Sequence, residues 1–211
     1  AQYSGPSQAA AYPAEYWARR PAISHVSLSP DGASLALLRI TEKGANPVIE
    51  VYPTDDLKAV PFRVNADPME IVEIKWVDDS NLIFLARQQV REMIDGFNEG
   101  VYEFRIALVD LEARKIHGFN ERDPSLVSTL PNKKNKILIS FAEGTGGGVG
   151  VKLQEAFRPR AYWEFDLKTG SKKLLIRGKL LLGNIDFDRD GNPALARGFD
   201  LASREYLWFW R

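Results

Sequence analysis

The chain has 211 residues, with 28 basic and 28 acidic side chains and no cysteine. This balance of charge argues against nucleic acid as a partner, because nucleic-acid binders usually carry a basic excess or a basic face. The absence of cysteine excludes disulfides, zinc ribbons and thiol catalysis. No run of ~18 apolar residues is present, so the sequence predicts no membrane-spanning helix.

Residues 1–22 are predicted to be a mobile N-terminal segment with one short helical turn. The start, AQYSGPSQAAAYP, has neither the charged nor the apolar region of a signal peptide. An Ala-Gln start followed by small residues is typical of an exported protein after cleavage, and a trimmed cytoplasmic protein is the alternative. We therefore expect an exported protein, either periplasmic or secreted. The stretch 13–21 predicts the helical turn, which Pro21 ends.

From residue 23 onward the sequence repeats one plan four times: a short strand, a tight polar turn and a strongly apolar strand. The turns align at Asp31, Asp79, Asn135 and Asp190, which are 48, 56 and 55 residues apart. A third strand follows each pair, and a fourth strand follows the first three. These further strands are predicted at 47–53, 59–64, 101–110, 114–119, 161–167, 172–178 and 204–211.

Four antiparallel strands that recur every 40–55 residues or so form the blade of a β-propeller. The second strand of each unit is apolar on both faces, as expected for a sheet packed between two neighbours. We therefore predict an all-β fold, a partial β-propeller of about three and three-quarter four-stranded antiparallel blades, in residues 23–211. The predicted blades are approximately 23–66, 69–119, 125–178 and 182–211. A β-sandwich is the alternative, and it would show alternation on one side only.

The end blades of such an array would each expose an apolar face. The chain is thus expected to be a fragment of a longer ring or the obligate partner of something that covers its ends. A second copy of the chain is one such partner. The aromatic segment 207–211 is expected to pack between blades, with ligand stacking as the alternative.

The sequence predicts no catalytic residue. No G-x-S-x-G elbow occurs, and the nearest segment, 32–36, lacks the last glycine. Ser24 and His25 are neighbours in a predicted strand, where successive side chains point to opposite faces. Both histidines, His25 and His117, are expected to be structural.

The sequence predicts no bound cofactor either. The segment GTGGGVG (144–150) lacks the spacing of a dinucleotide-binding loop and the Lys-Ser/Thr of a phosphate loop. It is expected to be a long loop between blade strands, on the same side as the long loop 88–100. Together these loops can line an entrance or cover a neighbouring domain.

One motif suggests a metal. Asp186, Asp188 and Asp190, followed by Gly191, match the D-x-D-x-D-G pattern in which alternate carboxylates converge on calcium. The ninth and twelfth positions of that pattern hold alanine and arginine, where ligands are required. A plain hairpin turn is therefore favoured over a calcium site.

Two motifs carry a family resemblance: Ser29-Pro30-Asp31-Gly32 before an apolar strand, and Trp76-Val77-Asp78-Asp79 before Leu82-Ile83-Phe84. Across roughly 13–200 the chain resembles the N-terminal propeller of bacterial prolyl oligopeptidase-family serine peptidases, of the acylaminoacyl- and dipeptidyl-peptidase-like branches. Turns of the first type also occur in TolB-like propellers.

The resemblance implies a propeller that sits over a C-terminal α/β-hydrolase domain and admits only short or unfolded peptides. The Ser-Asp-His triad of that family lies wholly in the hydrolase domain, so no catalytic residue is implied here. The implied partners are the hydrolase domain of the parent chain, or a second copy on the open blade faces, and peptide substrates. The alternative is a TolB-like propeller that acts as a protein-binding scaffold.

Overall fold

A computed structural model describes residues 14–17, 19–92, 100–121, 123–142, 159–179, 182–200 and 202–210. A helix of four residues, α1 (Ala14–Trp17), precedes fifteen strands in this part of the chain. No helix among these residues is long and apolar enough to cross a membrane. The glycine-rich segment 144–150 and residues 93–99 of the predicted loop 88–100 lie outside the described residues. Residues 88–91 of that predicted loop instead continue the strand Asn81–Arg91, because they pair with the following strand.

The strands form four antiparallel sheets in which neighbours in sequence are neighbours in space. The first sheet contains β1 (Ile23–Leu28), β2 (Ser34–Arg39), β3 (Val48–Pro53) and β4 (Phe62–Val64). The second contains β5 (Glu70–Trp76), β6 (Asn81–Arg91), β7 (Val101–Asp110) and β8 (Lys115–Gly118). The third contains β9 (Ser125–Ser128), β10 (Lys136–Ala142), β11 (Arg160–Asp166) and β12 (Lys172–Ile176). The fourth contains β13 (Leu182–Phe187), β14 (Pro193–Asp200) and β15 (Glu205–Trp210).

This arrangement is a partial β-propeller, as predicted, with three four-stranded blades and one three-stranded blade. Strand β4 begins at Phe62, three residues later than predicted. Pro61 immediately precedes it and has no N–H to donate to β3, which explains the later start.

The core lies between the sheets in three clusters, one at each junction. Residues of β6 alternate between two of them: Leu82 and Phe84 pack toward the first sheet, and Ile83 packs toward the third. In β10, Ile137 and Ile139 face the second sheet while Leu138 faces the fourth. The central strands are therefore buried on both faces, which confirms the prediction and explains why their sequences lose polar alternation.

The hairpin turns have the predicted chemistry. Asp31 accepts hydrogen bonds from the Ala33 N–H (3.0 Å) and the Ser29 hydroxyl (2.6 Å), and Gly32 has a φ of 75°. Gly191 repeats this conformation with a φ of 74° in the fourth sheet. A positive φ is inexpensive only for glycine, so these turns depend on it.

One local expectation is wrong. Ser24 and His25 do not point to opposite faces, because β1 contains a bulge between Ser24 and Ser27. His25 adopts a φ of 52° there, and its Nδ1 lies 3.2 Å from the Ser24 hydroxyl. The bulge breaks the two-residue period on which the expectation rested.

Candidate functional site: a cleft between the second and third sheets

A cleft of about 360 Å³ separates the second and third sheets, and we call it the junction cleft. Its apolar lining comes from β6, β7 and β9, through Ile83, Leu85, Ile106 and Leu126. Its polar lining comes from Glu73, Lys75, Asp123, Ser125 and Arg160. A concave, mainly apolar site with a few convergent polar groups is the usual form of a small-ligand pocket.

Arg160 anchors one wall of the junction cleft. Its guanidinium donates to the Ser140 hydroxyl (3.1 Å), the Ser125 hydroxyl (3.1 Å) and the Asp123 carbonyl (2.9 Å). Burial lowers the pKa of Arg160 below its ordinary value, and the charges of Tyr162 and Asp123 partly oppose this shift. Arginine nevertheless stays protonated at neutral pH, so the wall carries a fixed positive charge.

A carboxylate lies beside this charge. Asp123 Oδ1 accepts a hydrogen bond from the Phe104 N–H at 2.9 Å, which ties the segment before β9 to β7. Asp123 has a φ of 45°, a conformation that aspartate tolerates better than most residues. Arg160 is the first residue of β11, so the cleft lies toward the end of the third sheet where residues 143–159 connect β10 to β11.

Glu73 and Lys75 form the rim on the second sheet. They are the cross-strand partners of Leu85 and Ile83, so they occupy the face of β5 that is turned toward the third sheet. The intervening Ile74 and the following Trp76 pack toward the first sheet. The alternation in β5 thus places one acid and one base, both exposed, over an apolar floor.

The lining of the junction cleft contains no hydrolytic arrangement. Ser125 contributes its hydroxyl, which accepts a bond from Arg160, and no histidine lines the cleft. The lining therefore combines two cations, two carboxylates and an apolar floor. None of these residues belongs to a motif found in the sequence. The only sequence signal for them was the alternation that places charged residues on one face of β5.

The imidazole of His25 lies within hydrogen-bonding distance of a hydroxyl, because its Nδ1 is 3.2 Å from Ser24 Oγ. A hydrolytic triad needs a third group that orients the imidazole ring. Within the part of the chain that the structure describes, no carboxylate accepts a hydrogen bond from His25. Both residues lie on an edge strand at the surface, outside the junction cleft.

A larger groove of about 910 Å³ lies between the same two sheets, at the end that carries the hairpin turns. Its carboxylates come from turn residues, and several are already engaged. Asp78 accepts bonds from the N–H groups of Ser80 (3.0 Å) and Asn81 (2.8 Å), and Asp166 accepts from Lys168 (3.0 Å) and Thr169 (2.9 Å). These acids therefore stabilise their own turns.

The three aspartates of the calcium motif are placed differently from one another. Asp188 accepts bonds from the N–H groups of Asp190 (2.9 Å) and Asn192 (2.8 Å), and Asp190 accepts one from the Asn132 side chain (3.1 Å). Asp186 lies in β13 and is exposed. Among the described residues, no group of three or more histidine, aspartate and glutamate side chains is arranged to hold a metal ion. The preference for a plain hairpin turn over a calcium site stays a prediction to be tested.

Comparisons with known proteins show the fold. No family model matches the sequence, and no curated protein matches it. The structure is similar to the acylaminoacyl peptidase of Pyrococcus horikoshii in its orthorhombic crystal form, with a TM-score of 0.54 and 18% identity. The uncomplexed form matches with a TM-score of 0.55, and an acylaminoacyl peptidase in complex with Z-Gly-Gly-Phe-chloromethyl ketone with 0.54, both at 18% identity.

In each case the match covers 84% of this chain and 28% of the peptidase. The chain therefore spans little more than a quarter of the length of these proteins. The resemblance to acylaminoacyl peptidases that the two sequence motifs indicate is confirmed at the level of the fold. At 18% identity the likeness establishes that this chain folds as successive propeller blades.

Proposed function

We propose that the chain is the non-catalytic propeller of a serine peptidase and that it gates or selects peptide substrates for a hydrolase domain elsewhere in the same protein. The observation that carries the proposal is the fold likeness, which aligns most of this chain with a quarter of a peptidase. The junction cleft supports it, because its lining combines paired charges with an apolar floor and lacks a nucleophile–base pair.

Peptides are the substrate class that this lining suits. Lys75 and Arg160 can attract a carboxylate, and Glu73 and Asp123 can attract an ammonium group, while the apolar floor takes a side chain.

We also propose that the protein is exported, on the composition of residues 1–13. Fractionation of cells, with the protein detected in the periplasm or medium, would test that location.

The first test reads the gene on both sides of these 211 codons. The proposal requires a G-x-S-x-G motif with aspartate and histidine after it. The full-length protein should then hydrolyse short N-blocked peptide anilides, whereas the 211-residue chain alone should not. A full-length protein that binds other proteins and cleaves no peptide would overturn the proposal in favour of the scaffold alternative.

The second test asks whether the junction cleft selects peptides. In the full-length protein, Lys75→Glu should change KM for charged peptides by about 3–10-fold, because each rim charge contributes up to about 1 kcal/mol. Turnover of a minimal single-residue substrate should stay the same. Lys58→Glu makes the same charge change in the exposed β3–β4 connection and is the control. Equal effects of the two variants would show that the cleft does not select peptides.

A further inference from the structure

Arg160 differs from the other basic side chains that are shielded from solvent. In the part of the chain that the structure describes, five lysine and arginine residues are at least partly buried. Four of them form ion pairs with carboxylates at 2.7–3.3 Å: Arg87, Arg105, Lys133 and Lys136. Arg160 is the fifth, and no carboxylate of a described residue forms an ion pair with it. A buried charge normally has a partner of opposite charge, because its removal from water is costly.

The hydrogen bonds of Arg160 leave one nitrogen of its guanidinium group unused. Nε donates to the Ser140 hydroxyl, and Nη2 donates to the Ser125 hydroxyl and to the carbonyls of Asp123 and Ser140. These acceptors are neutral, and they hold the group in one orientation at the wall of the junction cleft. Nη1 carries two of the five N–H donors of an arginine, and it donates to no described residue. The bonds that fix Arg160 therefore explain Nε and Nη2 but not Nη1.

The other charged side chains of the junction cleft do not neutralise Arg160. Asp123 Oδ1 accepts a bond from the Phe104 N–H at 2.9 Å, and the described residues include no ion pair between Asp123 and Arg160. Glu73 and Lys75, on the wall formed by the second sheet, form no ion pair with any described residue either. The cleft thus holds charges of both signs that are not paired with one another.

A carboxylate is the anion that this lining fits. Arginine binds carboxylates through charge-assisted hydrogen bonds, and a guanidinium that is already fixed loses little freedom in forming them. A phosphate group would bring about two negative charges close to Glu73 and Asp123, whereas a carboxylate brings one. The cleft measures about 360 Å³, near the lower end of the roughly 300–1,000 Å³ of ligand pockets. It therefore fits the end of a peptide better than a longer stretch.

We propose that Arg160 binds the free C-terminal carboxylate of a peptide through Nη1, while the apolar floor of the junction cleft takes the side chain of the last residue. This contact rests on the function proposed above, and it adds which end of the peptide the cleft recognises. Lys75, the second cation of the lining, adds to the attraction from the opposite wall.

A matched pair of ligands tests the contact on the 211-residue chain, by isothermal titration calorimetry. N-acetylleucylleucine has a free carboxylate, and its amide lacks that charge but keeps both side chains. The acid should bind about 10-fold more tightly or better, at ligand concentrations up to about 10 mM. Equal binding of acid and amide overturns the proposal, and so does binding of neither.

A third ligand distinguishes a C-terminus from an acidic side chain. N-acetylglutamylleucine amide carries its single carboxylate on a side chain, and it should bind no more tightly than the leucyl amide. If it binds as tightly as the free acid, an acidic side chain is the group that Arg160 holds, and the assignment to the C-terminus is wrong.

Variants assign the contact to a residue. Arg160→Lys keeps the charge but removes the guanidinium, and it should reduce the preference for acid over amide to about 3-fold or less. Arg105→Lys makes the same change at a half-buried arginine that pairs with Glu103 outside the lining, and it should leave the preference unchanged. An unaltered preference in a folded Arg160→Lys protein overturns the proposal.

A further variant covers the case in which Arg160→Lys does not fold. Lys75→Gln changes an exposed residue, and it should weaken binding of the acid by about 2–5-fold without affecting the amide. If Lys75→Gln instead removes the preference completely, Lys75 holds the carboxylate and the role given to Arg160 is wrong.

These titrations involve no hydrolysis, so they are independent of the test of the proposed function. N-blocked peptide anilides have no free C-terminus, and their cleavage by the full-length protein does not require this contact. A full-length protein that cleaves anilides, together with a 211-residue chain that does not prefer the acid, would keep the proposed function and refute the contact.

Discussion

Glu164 provides the most demanding test of how the third sheet is stabilised on the side that faces the fourth sheet. It lies in β11, is almost fully buried, and is the cross-strand partner of Leu138 on the side that faces the fourth sheet. Its two carboxylate oxygens accept hydrogen bonds from Lys133 Nζ and Lys136 Nζ, each at 2.7 Å. Glu164→Gln keeps the shape of the side chain but removes the negative charge to which both ammonium groups are bonded.

The size of the expected loss of stability follows from the burial of the charges. Removal of one partner from a buried ion pair costs about 3–5 kcal/mol, because the other charge stays buried. Here the lysine side chains are 36% and 37% exposed, so water screens them after the change. We therefore expect Glu164→Gln to lower the free energy of unfolding by about 1–2 kcal/mol at pH 7, which for a chain of this size lowers Tm by about 2–8 °C.

The loss of stability caused by Glu164→Gln should depend on pH. Burial raises the pKa of Glu164, but the hydrogen bonds and charges of Lys133 and Lys136 outweigh it, so the pKa in the folded state lies below the ordinary 4.5. A carboxyl with a depressed folded pKa stabilises the fold fully above its unfolded pKa, and this contribution is lost as the pH falls through the folded value. The difference between wild type and variant should therefore shrink as the pH falls below 4.5.

Urea unfolding at pH 7 and again at the lowest pH at which the wild type stays folded measures this difference. Glu112→Gln, in the exposed turn between β7 and β8, removes the same charge without a buried partner and should change stability by less than about 0.5 kcal/mol. An equal loss for Glu164→Gln at both pH values would show that shape or packing, and not the ion pairs, is responsible.

Three further changes test the core and the turns. Leu138→Ala empties a fully buried position between the third and fourth sheets and should cost about 2–5 kcal/mol in urea unfolding. Gly178→Ala would place a Cβ 2.7 Å from the Arg160 carbonyl oxygen and should cost about 1–3 kcal/mol, whereas Gly118→Ala meets nothing within 4 Å and should lower Tm far less. Asp188→Ala removes the carboxylate that caps its turn and should cost about 1 kcal/mol, and millimolar calcium should leave the Tm of the wild type unchanged.

The blades could be predicted from the sequence because their signals are local. The turn Pro30-Asp31-Gly32 and the doubly apolar strand after it lie within ten residues of each other, and the same plan recurs in each sheet. The bulge at His25 could not be predicted, because it depends on how β1 pairs with β2. A shift in register leaves no mark in composition, and it moves every later side chain in the strand to the other face.

The junction cleft could not be predicted for a related reason. Glu73 and Arg160 lie 87 residues apart in sequence, and they line one cleft only because the second and third sheets pack together. Neither residue belongs to a motif. The charged side of β5 was visible in the alternation of Glu73, Ile74 and Lys75, but alternation alone does not distinguish a solvated face from the rim of a site.

The acidic turns show how one pattern can serve the fold without a metal. The N–H of Gly191 donates to the Asp188 carbonyl at 3.0 Å, as the N–H of Gly32 donates to the Ser29 carbonyl at 2.9 Å, so the two turns share this hydrogen bond. Asp188 then stands at the position of Ser29, and each side chain accepts a bond from the N–H of the residue that closes its turn, Asn192 and Ser34 respectively.

Asp190, the last aspartate of the motif, contacts a neighbouring turn instead of its own. Asp190 accepts a bond from Asn132 in the turn of the preceding sheet, as Asp79 accepts one from the backbone of Asp31 (3.0 Å). A carboxylate therefore accepts a bond from the preceding turn both between the first and second sheets and between the third and fourth. The carboxylate of Asp190 is explained by this contact, since it ties its turn to the turn before it. Loss of either contact should weaken a junction between blades, whether or not calcium is present.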